Sequence, residues 1–260
     1  MQEGEQREKY RETIRQVILQ AGALAKDYFR KSSGLTFNKK SPKDLVTEAD
    51  IHVERFIRGQ LTGKFPGLGF WGEETGKSEE LENCWIVDPI DGTHSFFRGQ
   101  YFWSISIALK LKGELQLGAV YAPALDDLYL GETDKGSTRN GHPISCSQTN
   151  ALNEAMVCTG FACLRSDLED NNLGRFTRVA LKTRDQRRCG SAALEMCMVG
   201  DGQLDAFWEQ HLNLYDVAAG AVIAQEAGAI VSDFSGKKGL NPEEVLVSTP
   251  SLHQDMVDLM

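Results

Sequence analysis

The chain predicts an α/β protein: an α+β N-terminal half, an α/β C-terminal half, and layered packing of the two. Three observations carry that expectation. Two amphipathic helical segments come first, a run of period-two strands follows, and after about residue 150 strands and helices alternate. The 260 residues are 41% hydrophobic and 25% charged, enough apolar material for a sizeable core and unlike a disordered chain. That length is one large domain or two small ones. The expected division is 1–148 and 149–260, with the joint near 145–155; no flexible linker marks it, so the halves are expected to pack tightly.

In the first segment Ile14, Val17, Ile18, Ala21, Leu24, Ala25 and Tyr28 recur at three- and four-residue steps, the period of one helix face. Asn38 to Lys43 is basic, polar and carries Pro42, and is expected to be a loop. A second helix is expected to begin near Thr47, with Thr47 and Asp50 as a capping pair and Val53, Phe56, Ile57 and Leu61 as its apolar stripe. Strands are predicted at Phe70-Trp71, Cys84 to Val87, Ser104 to Leu109 and Leu115 to Tyr121. Asn140-Gly141 is a tight-turn signal. Further on, Ala155–Cys158, Leu204–Trp208, Ile230–Val231 and Val245–Val247 read as strands, and Ser191–Val199 and Asp216–Ala227 as helices.

Composition excludes several classes. The net charge of −9 argues against bulk nucleic-acid binding, because a phosphate backbone rewards a basic surface. No apolar run approaches a membrane span, and the acidic start lacks the pattern of a signal peptide, so a cytoplasmic protein without a membrane partner is expected. Cys84, Cys146, Cys158, Cys163, Cys189 and Cys197 form no CxxC pair and read as reduced thiols.

The chemistry concentrates in Trp85-Ile86-Val87-Asp88-Pro89-Ile90-Asp91-Gly92-Thr93. An apolar strand is expected to end at two aspartates three residues apart, with Pro89 fixing the turn and Gly92 permitting a positive φ. Thr93 opens a short segment, His94 to Phe97, whose start would offer backbone N–H groups to a phosphate. Carboxylates beside N–H donors suit a cation that shares its coordination sphere with a phosphate. Taken singly, the companion acids have ordinary readings. Glu73 and Glu74 read as a solvated loop, Asp50 as a first-turn acid, and Asp216 as an N-cap. Four acidic segments at strand ends and helix starts are harder to dismiss together.

Asp44 to Asp50, Gly72-Glu73-Glu74, Trp85 to Thr93 and Tyr215 to Gly220, in this order and spacing, resemble the inositol monophosphatase family of Mg²⁺-dependent, lithium-sensitive phosphatases. The resemblance implies a layered αβαβα sandwich of the inositol monophosphatase/fructose bisphosphatase type, a site between the two halves, and a homodimer. It implies that Glu73, Asp88 and the Ile90 carbonyl hold one Mg²⁺, that Asp88, Asp91 and Asp216 hold a second, and that Glu73 helps hold a third, weaker ion. Thr93 and Asp50 would orient the attacking water, and the N–H groups of Gly92 and Thr93 would hold phosphate. Asp91, Gly190, Ser191, Ala192 and Glu209 would face the substrate. Lys39 matches a loop lysine of the family and is either a contact to the site or a solvated side chain. Arg187, near the Gly190 turn, either braces a domain or subunit contact or touches ligand. His94 either borders the site or points to solvent, and His211 reads as a loop residue.

The expected reaction is hydrolysis of myo-inositol monophosphate or a similar polyol or sugar phosphate. His94-Ser95 and Tyr215 depart from the family's usual residues and leave the substrate branch open. Histidinol phosphate, fructose 1,6-bisphosphate and adenosine 3′,5′-bisphosphate are the alternatives within the chemistry. A regulatory protein associated with RNA or transcription is the alternative of another class.

Overall fold

The structure, a computed structural model, describes residues 3–29, 37–41 and 44–260. Helix α1 spans Glu3–Tyr28. It buries Ile14, Val17, Ile18, Ala21 and Ala25, the face its periodicity predicts. Strands β1 (Phe37–Ser41) and β2 (Asp44–Thr47) then pair as an antiparallel hairpin. A loop is expected there from composition, but strand formation answers to its pairing partner more than to local preference. Pro42 and Lys43 lie outside the described residues, as do the side chains of Lys39 and Thr47. Helix α2 (Glu48–Lys64) follows and buries Val53, Ile57 and Leu61, and also the two acids Asp50 and Glu54.

The first sheet is built from β3 (Gly69–Gly72), β4 (Gly76–Lys77), β5 (Cys84–Asp91), β6 (Ser104–Leu111), β7 (Glu114–Ala122), β8 (Asp127–Glu132), β9 (Gly136–Arg139) and β10 (His142–Pro143). A short helix, α3 (Thr93–Phe97), lies between β5 and β6. The strand order is β10-β9-β8-β7-β6-β5-β3-β4, and only the β3–β5 pair is parallel. Asn140 and Gly141 turn between β9 and β10 with φ of 50° and 82°, the left-handed pair that their dipeptide predicts.

The second sheet takes β11 (Met156–Thr159), β12 (Asp185–Arg187), β13 (Ala206–Gln210), β14 (Ile230–Ser232) and β15 (Glu244–Ser248), in the order β12-β11-β13-β15-β14. Between and after them lie α4 (Ala162–Arg165), α5 (Leu173–Ala180), α6 (Ala192–Gly200), α7 (Leu214–Glu226) and α8 (His253–Val257).

Alternation along the strands sorts side chains into separate cores. On β5, Trp85 and Val87 face α1 and α2, while Cys84 and Ile86 face α6 and α7. Val245 and Val247 of β15 face α6 and α7, while Leu246 joins α5 and α8 on the far side. The layers therefore run α1/α2, first sheet, α6/α7, second sheet, α5/α8: the αβαβα sandwich. Helices α6 and α7 are apolar all round because they are covered on both sides. Ala193 and Ala219 meet the first sheet, and Met196 and Val217 meet the second.

Small residues let α7 sit close. A Cβ on Gly118 of β7 would lie 2.4 Å from the Ala219 carbonyl oxygen, and that neighbour is backbone that cannot swing away. Replacing Gly118 with Val is expected to lower stability by about 2 kcal/mol through overpacking. The urea midpoint of unfolding should fall with its slope unchanged. An unshifted midpoint would mean that α7 can retreat from the sheet without loss.

Candidate active site

Parallel pairing of β3 and β5 brings their C-terminal ends to one edge. Gly72 registers with Val87, and the Glu73 N–H donates to the Val87 carbonyl at 3.1 Å, so Glu73 leaves its strand beside Asp88. Strand β5 does not stop at Asp88, as expected from its sequence, but continues to Asp91 with a register shift against β6 between these two aspartates. Pro89 falls in that irregular stretch, where its missing N–H breaks no ladder. The Ile90 N–H donates to Asp88 Oδ1 at 3.0 Å.

Gly92, at φ 90°, turns the chain into α3, and a Cβ there would lie 2.9 Å from the Gly190 carbonyl oxygen. The Thr93 hydroxyl faces two acceptors, the Ile90 carbonyl at 3.1 Å and Asp50 Oδ1 at 3.3 Å. It has one proton to share between them. Phe96 anchors the turn, edge-on to Trp103 with ring centroids 4.8 Å apart.

The other carboxylates are also tied to turns. Asp91 Oδ2 accepts the Ser191 hydroxyl at 2.7 Å and the Ala193 N–H at 2.8 Å. Ser191 is the N-cap of α6, yet it spends its hydroxyl across the interface rather than on its own helix. Asp216 is expected to cap α7 but sits inside its first turn. Asn213 is the N-cap, and its N–H donates to Asp216 Oδ2 at 2.6 Å. On the other side, the fully buried Glu54 receives the N–H groups of Glu74 at 2.8 Å and Thr75 at 2.7 Å, which fixes the loop carrying Glu73.

These elements enclose a cleft of about 240 Å³. Among the residues expected at the site, Glu73, Asp88, Ile90, Asp91, Gly92, Thr93, Gly190 and Asp216 line it. Asp50 lies behind Thr93, and Ser191 behind Asp91. Ala192 opens α6 next to them. Glu209 stands behind the wall, buried, with Oε1 accepting the Ala162 N–H at 2.9 Å. His94 and His211 both line the cleft. Sequence reasoning missed Arg165, Ser166, Asn213 and Glu243, which reach it from loops and helix ends with no pattern of their own.

Burial and mutual repulsion push the acids up. Asp88 is raised well above the usual carboxylate range, by burial first and then by Glu73, Asp91 and Asp216. Burial lifts Asp91 to about 7 against the hydrogen bonds from Ser191 and Ala193, and lifts Asp216 to about 7 with help from Asp91. Glu209 is likewise pushed to about 7 by burial. Carboxylates crowded this way, next to a backbone carbonyl, form a hard oxygen donor set of the kind that suits Mg²⁺, Ca²⁺ or Mn²⁺.

The sequence matches the inositol monophosphatase family over residues 6–258. The chain belongs to the inositol monophosphatase family. It is accordingly a phosphoric monoester hydrolase of a generally metal-dependent kind. It is 35% identical to an inositol-1-monophosphatase of Mesorhizobium japonicum over 223 residues, covering 85% of this chain and 84% of that one. It is also 35% identical to a protein named Nus factor SuhB of Pseudomonas aeruginosa, covering 83% and 82%. The crystal structure of the extragenic suppressor protein suhB from Bartonella henselae superposes with a TM-score of 0.89 at 28% identity, covering 95% of this chain and 96% of that one. Among the described residues of this inositol monophosphatase family member, no helix is long and apolar enough to cross a membrane.

Asp91 and Asp216 bind protons more tightly in the folded state than in the unfolded chain, where carboxylates titrate near 3.8. Their contribution to stability is therefore complete below about pH 4 and is lost as pH rises through about 7. In chelator, the melting temperature should be higher at about pH 5 than at about pH 8, and Asp91→Asn should flatten the difference. Added Mg²⁺ should raise it more at the higher pH. A chelated protein that melts higher at pH 8 than at pH 5 would refute this account of the cleft.

Proposed function

We propose that this chain hydrolyses the phosphate ester of a small polyol or sugar, myo-inositol monophosphate foremost, to the free alcohol and phosphate, with two or three Mg²⁺ ions as cofactors. The observation that carries the reading is the Thr93 hydroxyl, shared between the Ile90 carbonyl and the buried Asp50 carboxylate at the edge of a cleft lined by five acids. A lone threonine is too weak an acid to activate water. A threonine that can pass its proton to a carboxylate, while itself accepting one from water, is a relay.

In this reading Glu73, Asp88 and the Ile90 carbonyl hold one ion, Asp88, Asp91 and Asp216 hold another, and Glu73 contributes to a third. When bound, such ions polarise the phosphoryl oxygens and lower the pKa of water. Thr93 orients the attacking water and Asp50 takes the proton. The N–H groups of Gly92 and Thr93, at the turn into α3, receive the phosphate. Gly190, Ser191 and Ala192 border the alcohol portion. Glu209 bears on that portion from behind, through the segment it fixes at Ala162.

A second reading of the substrate has its own ground. Arg165 and Arg188 line the same cleft, and neither makes an ion pair among the described residues. Both draw Glu209 downward. Two such cations favour a substrate with a second anionic group, as in fructose 1,6-bisphosphate or adenosine 3′,5′-bisphosphate, over histidinol phosphate. The transcription-associated alternative has the name of the Pseudomonas relative in its favour and the net charge of −9 against it.

Phosphate release should depend on Mg²⁺ and stop in EDTA. Thr93→Ala should lower kcat by about 10²–10⁴-fold, and Asp91→Asn should abolish turnover, each with the fold retained by circular dichroism. Release that persists in EDTA, or normal rates in Asp91→Asn, would overturn the mechanism. Across a panel of inositol 1-phosphate and the two bisphosphates, Arg165→Gln and Arg188→Gln should each cost the bisphosphates about tenfold more in kcat/KM than the monophosphate. Equal losses would remove the case for a second anionic group.

A further inference from the structure

Behind the cleft wall, three side chains from separate elements converge: Cys158 on β11, Cys189 just before α6, and Glu195 on α6. Their spacing in the sequence carries no metal signature. Parallel pairing of β11 with β12 sets Cys158 level with Arg187, and the chain then returns Cys189 alongside it. The two sulfurs lie 3.9 Å apart, and Cys158 Sγ is 2.9 Å from Glu195 Oε1. One ligand atom from each of the three lies within 4.8 Å of the others, and no other trio of His, Cys, Asp or Glu among the described residues is so close.

Two features say that this is more than contact between thiols. Glu195 is 1% exposed, and its Oε1 accepts the N–H groups of Cys189 at 2.7 Å and Gly190 at 3.0 Å. Its Oε2 is buried with no hydrogen-bond partner, a costly state for a carboxylate oxygen. The sulfur spacing is the second. Two thiolates bound about 2.3 Å from a tetrahedral centre lie roughly 3.8 Å apart. The Cys189 thiol is drawn down to about 7, chiefly by the hydrogen bond from Cys158. Cys158 is buried, whereas Cys189 is partly exposed and opens a path from solvent.

We propose that Cys158, Cys189 and Glu195 form a site for one thiophilic divalent cation of the Zn²⁺ class, with a fourth position open on the Cys189 side. Binding replaces the thiol protons, which are released to solvent. Thiolates select against Mg²⁺. The chain thereby sorts cations, taking soft ones here and hard ones in the carboxylate cleft. The site also abuts the turn from which Ser191 and Ala193 reach Asp91, so its occupancy bears on the position of that aspartate.

The test uses the full chain, reduced, freed of metal and then saturated with Mg²⁺, and titrates it with Co²⁺. One equivalent should produce sulfur-to-cobalt charge-transfer absorption in the near ultraviolet, which Zn²⁺ displaces. Cys189→Ser should abolish it, Glu195→Gln should weaken Co²⁺ binding about tenfold, and Asp88→Asn should leave it in place. Absence of the band in the unaltered protein, or its persistence in Cys189→Ser, would overturn the proposal. Cys189 is partly exposed, so its serine variant decides the matter even if Cys158→Ser fails to fold. Zn²⁺ should also protect Cys189 from iodoacetamide in the unaltered protein, and equal alkylation with and without Zn²⁺ would count against the site. No arm reads phosphate release, so the outcome is independent of the proposed reaction.

Discussion

Buried negative charge is the constraint around which this molecule is arranged. Carboxylates that would repel one another are placed side by side and kept there by backbone N–H groups. Asp88 is tied to Ile90, Asp91 to Ala193, Asp216 to Asn213, Glu209 to Ala162, Glu195 to Cys189 and Gly190, and Glu54 to Glu74 and Thr75. A backbone donor in a turn or first helical turn has no side-chain entropy to lose and cannot rotate away. For Asp91, Asp216, Glu209 and Glu195 the backbone tie lowers the carboxylate's pKa while burial raises it. The residual upward shift of Asp88, Asp91 and Asp216 measures how far the scaffold falls short of neutralising them. In the proposed reaction a cation completes what the backbone leaves undone.

The tie on Asp91 spans the molecule. Asp91 ends a strand of the first sheet, and its partners open α6, a helix shared by both sheets. The Gly92 turn rests against Gly190 from the same region. The cleft thus has no complete wall within either sheet alone. Its geometry is set by how α6 and α7 settle between them, and small residues at Gly118, Ala219 and Gly220 decide how close that settling comes.

Much of this was legible in the residues. The alternation at Ser104–Leu109 and Leu115–Tyr121 and the apolar run at Cys84–Val87 announce strands, and the helical stripe from Ile14 to Ala25 marks the face that α1 buries. The acid segments announced the cleft because several stand at strand ends together. What escaped did so for physical reasons. β8 to β10 run out to one edge of the sheet without a clean alternation. Glu54 looks like an ordinary helix-surface acid, and only the loop folded over it makes it a buried anchor. The basic run at Asn38 reads as a loop until its pairing with Asp44–Thr47 is seen. Arg165, Ser166 and Glu243 join the cleft through tertiary placement, which no local spacing encodes.

The shared middle layer also has a consequence for the order of assembly. Synthesis proceeds from the N-terminus, so the strands between Gly69 and Pro143 emerge with α1 and α2 ready to cover one face. The other face, with Ile86, Ala108 and Val120, must wait for α6 and α7, which lie beyond two and three strands of the second sheet. A nascent chain paused in that interval carries an apolar sheet open on one side and no assembled cleft. The ribosome therefore releases a chain whose acid-lined cleft is among the last things to exist, formed only once both sheets have closed on the same two helices.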